Sequence, residues 1–201
     1  MKLKVLELYL NYIELGNNSF GIEAASKSYF GVSAADLSIL QSSILASLPK
    51  SPTQYSPLRD SGQRRLMGYF VITDSAGIEY PFEGNLKQDI IAKFSDAIQQ
   101  SDFSNKIGSQ ASTKFLLGLG SFTIIVEGKE YYVRYLNGRK DDVLSRMFED
   151  GYIDDVQLKQ AYIEGLTIQF RSSSFPIKAP HFVFWIREEL EKIYGERDVL
   201  E

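Results

Sequence analysis

A transfer reaction that takes a proton from a hydroxyl needs a carboxylate base, and a negatively charged leaving group needs cationic help. The N-terminal stretch offers groups of both kinds in Lys2, Glu7, Tyr9 and Asn11. A second charged pair, Arg139 and Lys140, opens a helical pattern. Cations oppose the helix macrodipole there, so this pair calls for a buried carboxylate partner within the fold. His181 is the single histidine and follows Pro180; packing or capping suits it better than catalysis. One histidine and no cysteine exclude a histidine-rich metal cluster, thiolate metal sites and disulfides.

These residues need a scaffold, and the composition allows one. With 44% apolar and 13% aromatic residues over 201 positions, the chain can bury a sizeable core. Its formal net charge of −4 gives no basic face for phosphates, which excludes nucleic acid as a partner. No N-terminal signal is visible, and the longest strongly apolar stretch, Phe115 to Val126, covers only 12 residues. A membrane span needs about 20.

The elements that position the chemistry follow from periodicity. Leu3, Leu6, Leu10 and Ile13 recur at helical spacing, and Gly16-Asn17-Asn18 ends that helix. A short helix is expected over 21–29, closed by Gly31. A third begins at Ser33 with Asp36 as a capping box and carries Leu37, Leu40, Ile44, Leu45 and Leu48 up to Pro49. Between 60 and 138 the texture changes. Leu66 to Thr73 reads as a strand, Asn85 to Gln100 as a helix, and 101–113 as a loop. Phe122 to Val126 and Glu130 to Tyr135 form a hairpin about Glu127-Gly128-Lys129. Helices follow over 141–148, stopped by Gly151, and from Asp154 to about Glu164. Residues 170–178 read as a linker, and an amphipathic helix starts near Pro180.

Five stretches in a fixed order carry a resemblance. Lys2-x-x-Val5-Leu6-Glu7-x-Tyr9-Leu10-Asn11 resembles the K-x-x-I-L-E-x-Y-L-N motif of the peptidoglycan glycosyltransferases. Gly21-Ile22-x-Ala24-Ala25 with Tyr29-Phe30-Gly31 is similar to the next segment of that family. Leu45-Ala46-x-Leu48-Pro49 with Pro52, Tyr55, Ser56 and Pro57 follows it. Arg139-Lys140-x-x-Val143-Leu144-x-x-Met147 resembles the R-R-x-x-V-L-x-x-M motif. Ala179-Pro180-His181-Phe182-Val183 resembles the link to a transpeptidase domain in bifunctional class A penicillin-binding proteins.

The resemblance implies a mainly α, lysozyme-like glycosyltransferase domain, represented by its later helices. The expected organisation is glycosyltransferase helices over 1–59, a small α+β insertion over 60–138, further helices over 139–169 and a linker over 170–201. The implied reaction polymerises lipid II into glycan strands at the outer face of the cytoplasmic membrane, with membrane attachment through a preceding segment. A divalent metal, Mg or Mn, belongs to the full family domain, and nothing in this sequence supplies its ligands. The family's principal catalytic glutamates lie in segments upstream of Lys2, so none is expected in this chain, which should be inactive alone. Lys2, Glu7, Tyr9 and Asn11 are carried over as substrate-binding positions, with a supporting role for Glu7 and C-terminal capping for Asn11 as bland alternatives. Arg139 and Lys140 are carried over as structural. A non-catalytic interaction module derived from such a domain is the second reading. A lysozyme-like hydrolase is the third and weakest, because no segment marks the carboxylic acid of raised pKa that it requires.

Overall fold

The computed structural model describes residues 2–100, 121–171 and Glu189. The loop expected over 101–113, the helix expected from Pro180, His181 and all but the start of the 170–178 linker lie outside the described residues. The helices are α1 (Lys2–Tyr12), α2 (Ile22–Tyr29), α3 (Ile39–Ser47), α4 (Asp60–Met67), α5 (Gly84–Gln100), α6 (Arg139–Glu149) and α7 (Asp155–Gly165). The strands are β1 (Tyr69–Asp74), β2 (Glu79–Tyr80), β3 (Ser121–Val126) and β4 (Lys129–Leu136). The described fold is mainly helical with one small antiparallel sheet, as expected.

Two starts differ from the sequence reading. Ser33 caps a single 3₁₀ turn, Ala34–Asp36, and its hydroxyl accepts from Ala35 N–H. The helix itself begins five residues later, at Ser38. There Gln41 N–H donates to Ser38 Oγ at 3.1 Å, and Gln41 Oε1 accepts from Ser38 N–H at 3.0 Å. That reciprocal pair satisfies two orphan donors, so the second Ser wins over the first. Likewise Leu66 and Met67 close α4 rather than open a strand, since Gly68 at φ +76° ends the helix and β1 starts at Tyr69.

The helical core centres on α3. Leu40, Ile44 and Leu48 are fully buried, as are Leu144 of α6 and Leu158 of α7, and α3 packs on both of those helices. Each such side chain stabilises the fold by about 1.5–3 kcal/mol. Two serines on this buried helix lose water, and their hydroxyls donate back along it: Ser43 to Leu40 O and Ser47 to Ser43 O, both at 2.7 Å. Helix α4 packs on α3 and α6, with Leu66 fully buried in the same core.

The sheet has the order β2-β1-β4-β3. Strand β1 runs antiparallel to β4 from Tyr69 opposite Leu136 to Asp74 opposite Tyr131. Strands β3 and β4 form the expected hairpin, turned by Glu127 and Gly128 at φ +53° and +78°, the pair of positive angles that a tight two-residue turn needs. Alternation puts Ile72, Ile124 and Val133 on one face, where they bury Ile90 of α5. Phe70, Phe94 and Tyr135 then join this layer to the helical core, with ring centroids 5.0–5.2 Å apart. At the far end, Asp74 accepts from Ala76 and Ile78 N–H at 2.9 Å and from Tyr80 Oη at 3.1 Å. Those bonds, led by Ile78 N–H, hold its carboxyl below the usual carboxylate range.

Candidate functional site

Helix α1 carries all four positions singled out for substrate. Glu7 and Asn11 stand one turn apart, and the Asn11 side-chain amide donates to Glu7 O at 2.9 Å. The bond turns the Asn11 side chain back along its own helix, which runs on to Tyr12. Glu7 takes Lys4 Nζ at 3.0 Å on an exposed surface. Tyr9 is 52% exposed, and Lys2 begins the helix. Neither of the two grooves noted below is lined by any of them. The helix is held at its C-terminal end: Gly21, at φ +80°, has no room for a Cβ because the Asn11 carbonyl oxygen would lie 2.4 Å away. Gly21 N–H also donates to Ile13 O at 2.8 Å.

The apolar stripe of α1 is bare along its first turns. Leu3 is 82% exposed and Leu6 51%, while Leu10 and Ile13 are half-buried. Val5, Leu8, Tyr12 and Phe20 extend the same exposed surface. By contrast, Ala25 and Tyr29 of α2 are fully buried.

Arg139 and Lys140 find the carboxylate partners that their position demanded, on their own helix. Arg139 Nη1 donates to Asp142 Oδ2 at 3.1 Å. Lys140 is buried against Asp141, which is wholly inaccessible. Asp141 also accepts from Gly138 N–H at 2.7 Å, capping α6. The Tyr135 hydroxyl lies 2.9 Å from Asp141 Oδ2 and 2.7 Å from Met67 O, and it accepts from Lys140 Nζ at 3.1 Å. Burial, reinforced by the Asp141 charge, pushes the Tyr135 and Tyr162 hydroxyls well above the ordinary tyrosine value. Sequence reasoning missed Asp141 and Tyr135. The available signals were the acid three residues after Gly138 and the inward alternation of Tyr131, Val133 and Tyr135. The network borders a groove of about 640 Å³ with Phe70, Phe82 and Phe94 on its wall.

Among the described residues no three His, Asp or Glu side chains gather to hold a metal ion, so no chemical step is assigned to one here. Nor is any helix among them long and apolar enough to cross a membrane.

Residues 1–72, which include the exposed helix α1 and the core helix α3, match the family model described as Transglycosylase. The chain is similar to penicillin-binding protein 1A of several bacteria. The Pseudomonas aeruginosa protein is 49% identical over 57 residues, covering 28% of this chain and 7% of that protein. The Haemophilus influenzae protein is 37% identical over 100 residues, covering 48% of this chain and 12% of its own length. With the Rickettsia felis protein the likeness spans 197 residues at 22% identity, which is 98% of this chain and 16% of the relative. The crystal structure of penicillin-binding protein 1A from Haemophilus influenzae shares the fold at a TM-score of 0.51 and 23% identity, over 98% of this chain and 18% of that one. The chain is thus similar to one part of these penicillin-binding proteins and spans less than a fifth of their length.

Proposed function

We propose that the chain works as the later part of a peptidoglycan glycosyltransferase, in which lipid II is polymerised into glycan strands at the outer face of the cytoplasmic membrane. The observation that carries this reading is the bare stripe of α1 inside the segment that matches the family. A helix with Leu3 and Leu6 in water is out of balance as an isolated element, since contiguous exposed apolar surface marks a covering partner. The remainder of the longer domain is that partner. Lys2, Glu7, Tyr9 and Asn11 then face the acceptor or donor sugar from α1, and the carboxylates that move protons come from the covering part. A divalent metal at the leaving pyrophosphate also belongs to that part.

The test pairs two measurements. With lipid II and Mg or Mn, the 201-residue chain alone gives no polymer above the enzyme-free background. Mixed with the preceding transglycosylase segment of a penicillin-binding protein 1A, it gains hydrogen-exchange protection over α1. Polymer from the chain alone would overturn the assignment of the chemistry to the covering part. Unchanged exchange over α1 would favour the non-catalytic interaction module.

A further inference from the structure

The second groove, about 860 Å³, lies against α4 and the start of α6. Its charged lining comprises Arg64 and Arg65 from the last turn of α4, Arg139 from the first turn of α6, and the carboxylates of Asp60 and Asp142. Three guanidinium groups face two carboxylates, leaving one surplus positive charge in a chain whose net charge is −4. The arginines are unequally satisfied. Arg139 gives Nη1 to Asp142, yet its Nε is buried and has no acceptor among the described residues. Arg64 rests over the Tyr69 ring, 5.8 Å from its centroid, and both Arg64 and Arg65 are exposed. Neither has a carboxylate in ion-pair contact among the described residues, including Asp60 one turn away.

The exposed Arg64 and Arg65 present their donors to a solute in the groove, whereas the buried Arg139 Nε does not. The guanidinium fork matches the two oxygens of a carboxylate in shape and charge. One surplus charge balances a monoanion, whereas a phosphate dianion would leave the groove overcharged. Tyr69, 40% exposed on the rim, offers a flat face for whatever carries the anion. We infer that this groove binds a single carboxylate, gripped by Arg64 and Arg65, on an organic body that lies along the Tyr69 ring. A peptide C-terminus and a sugar acid both present that chemistry. No residue of α1 lines the groove, so this inference and the transferase reading can fail separately.

The experiment follows the arginine side-chain Nε–H resonances of the full 201-residue chain by NMR. The probes are N-acetyl-alanyl-alanine and its C-terminal amide, and glucuronate with glucose as its neutral counterpart. The expected result is a saturable shift of the Arg64 or Arg65 Nε–H with an acid probe and none with its neutral counterpart. Whichever acid saturates first identifies the body as peptide or sugar. The exposed pair Arg64→Gln/Arg65→Gln, with its fold checked by circular dichroism, weakens binding at least about tenfold. Equal response to acid and neutral probes, no saturable response, or full binding by the double variant would each overturn the inference.

Discussion

Helices α1 and α3 read alike in the sequence, each an apolar stripe at helical spacing, and they end in opposite environments. Leu40 and Ile44 of α3 are inaccessible, while Leu3 and Leu6 of α1 lie in water. Periodicity establishes that a helix owns an apolar face; it does not say which polypeptide covers that face. Helix α3 has neighbours on several sides, and among the described residues α1 packs on α2, with Gly21 abutting Asn11 near its C-terminal end. The contrast marks α3 as the centre of what this chain folds around and α1 as the surface it offers.

Substitutions can break that contrast in order of size. Asp141→Ala leaves Lys140 charged and buried and removes the cap of α6, so unfolding free energy should fall by about 3–5 kcal/mol. The corresponding loss on α1, Glu7→Ala, frees an exposed Lys4 and should cost under about 1 kcal/mol. Leu40→Ala or Ile44→Ala should cost about 2–5 kcal/mol in urea denaturation, against roughly 0.5 kcal/mol or less for Leu6→Ala. Equal losses at Leu40 and Leu6 would show that α1 is covered within the chain after all.

Alkaline pH sharpens the same division without a mutation. Burial raises the Tyr29 hydroxyl from 10.0 to about 12 and drives Tyr135 and Tyr162 in the same direction. The unfolded chain then gives up protons that the folded one keeps, so stability should decline as pH rises from about 10 toward 12 and be unaffected by these groups below that window. Thermal melts across the range check the sign. The smallest effect is expected from Leu3→Gln/Leu6→Gln, which should leave the melting temperature almost unmoved while lowering the binding of an apolar dye.

Much of this was legible in the residues. The Glu127-Gly128 turn, the stop at Gly151 and the cap at Asp154 are local signals, and each sits where its side chain or φ requires. The start of α3 was misread because Ser33 and Ser38 are both competent caps, and only Gln41 at the right distance from Ser38 decides between them. Leu66 and Met67 look the same at the end of a helix as at the head of a strand. The four positions on α1 share one helix, as their spacing indicated. The three-arginine groove went unseen because it is a product of tertiary contact: α4 and α6 lie far apart in sequence and meet only in the fold.

The two glycines at the root of the sheet have a further consequence. Gly68 leads from α4 into β1, and Gly138 leads from β4 into α6; a Cβ on Gly138 would sit 2.2 Å from the Gly68 nitrogen. The polypeptide therefore departs and returns through a single doorway. The distance between the ends of α4 and α6 is set at this doorway, by two residues that carry no side chain.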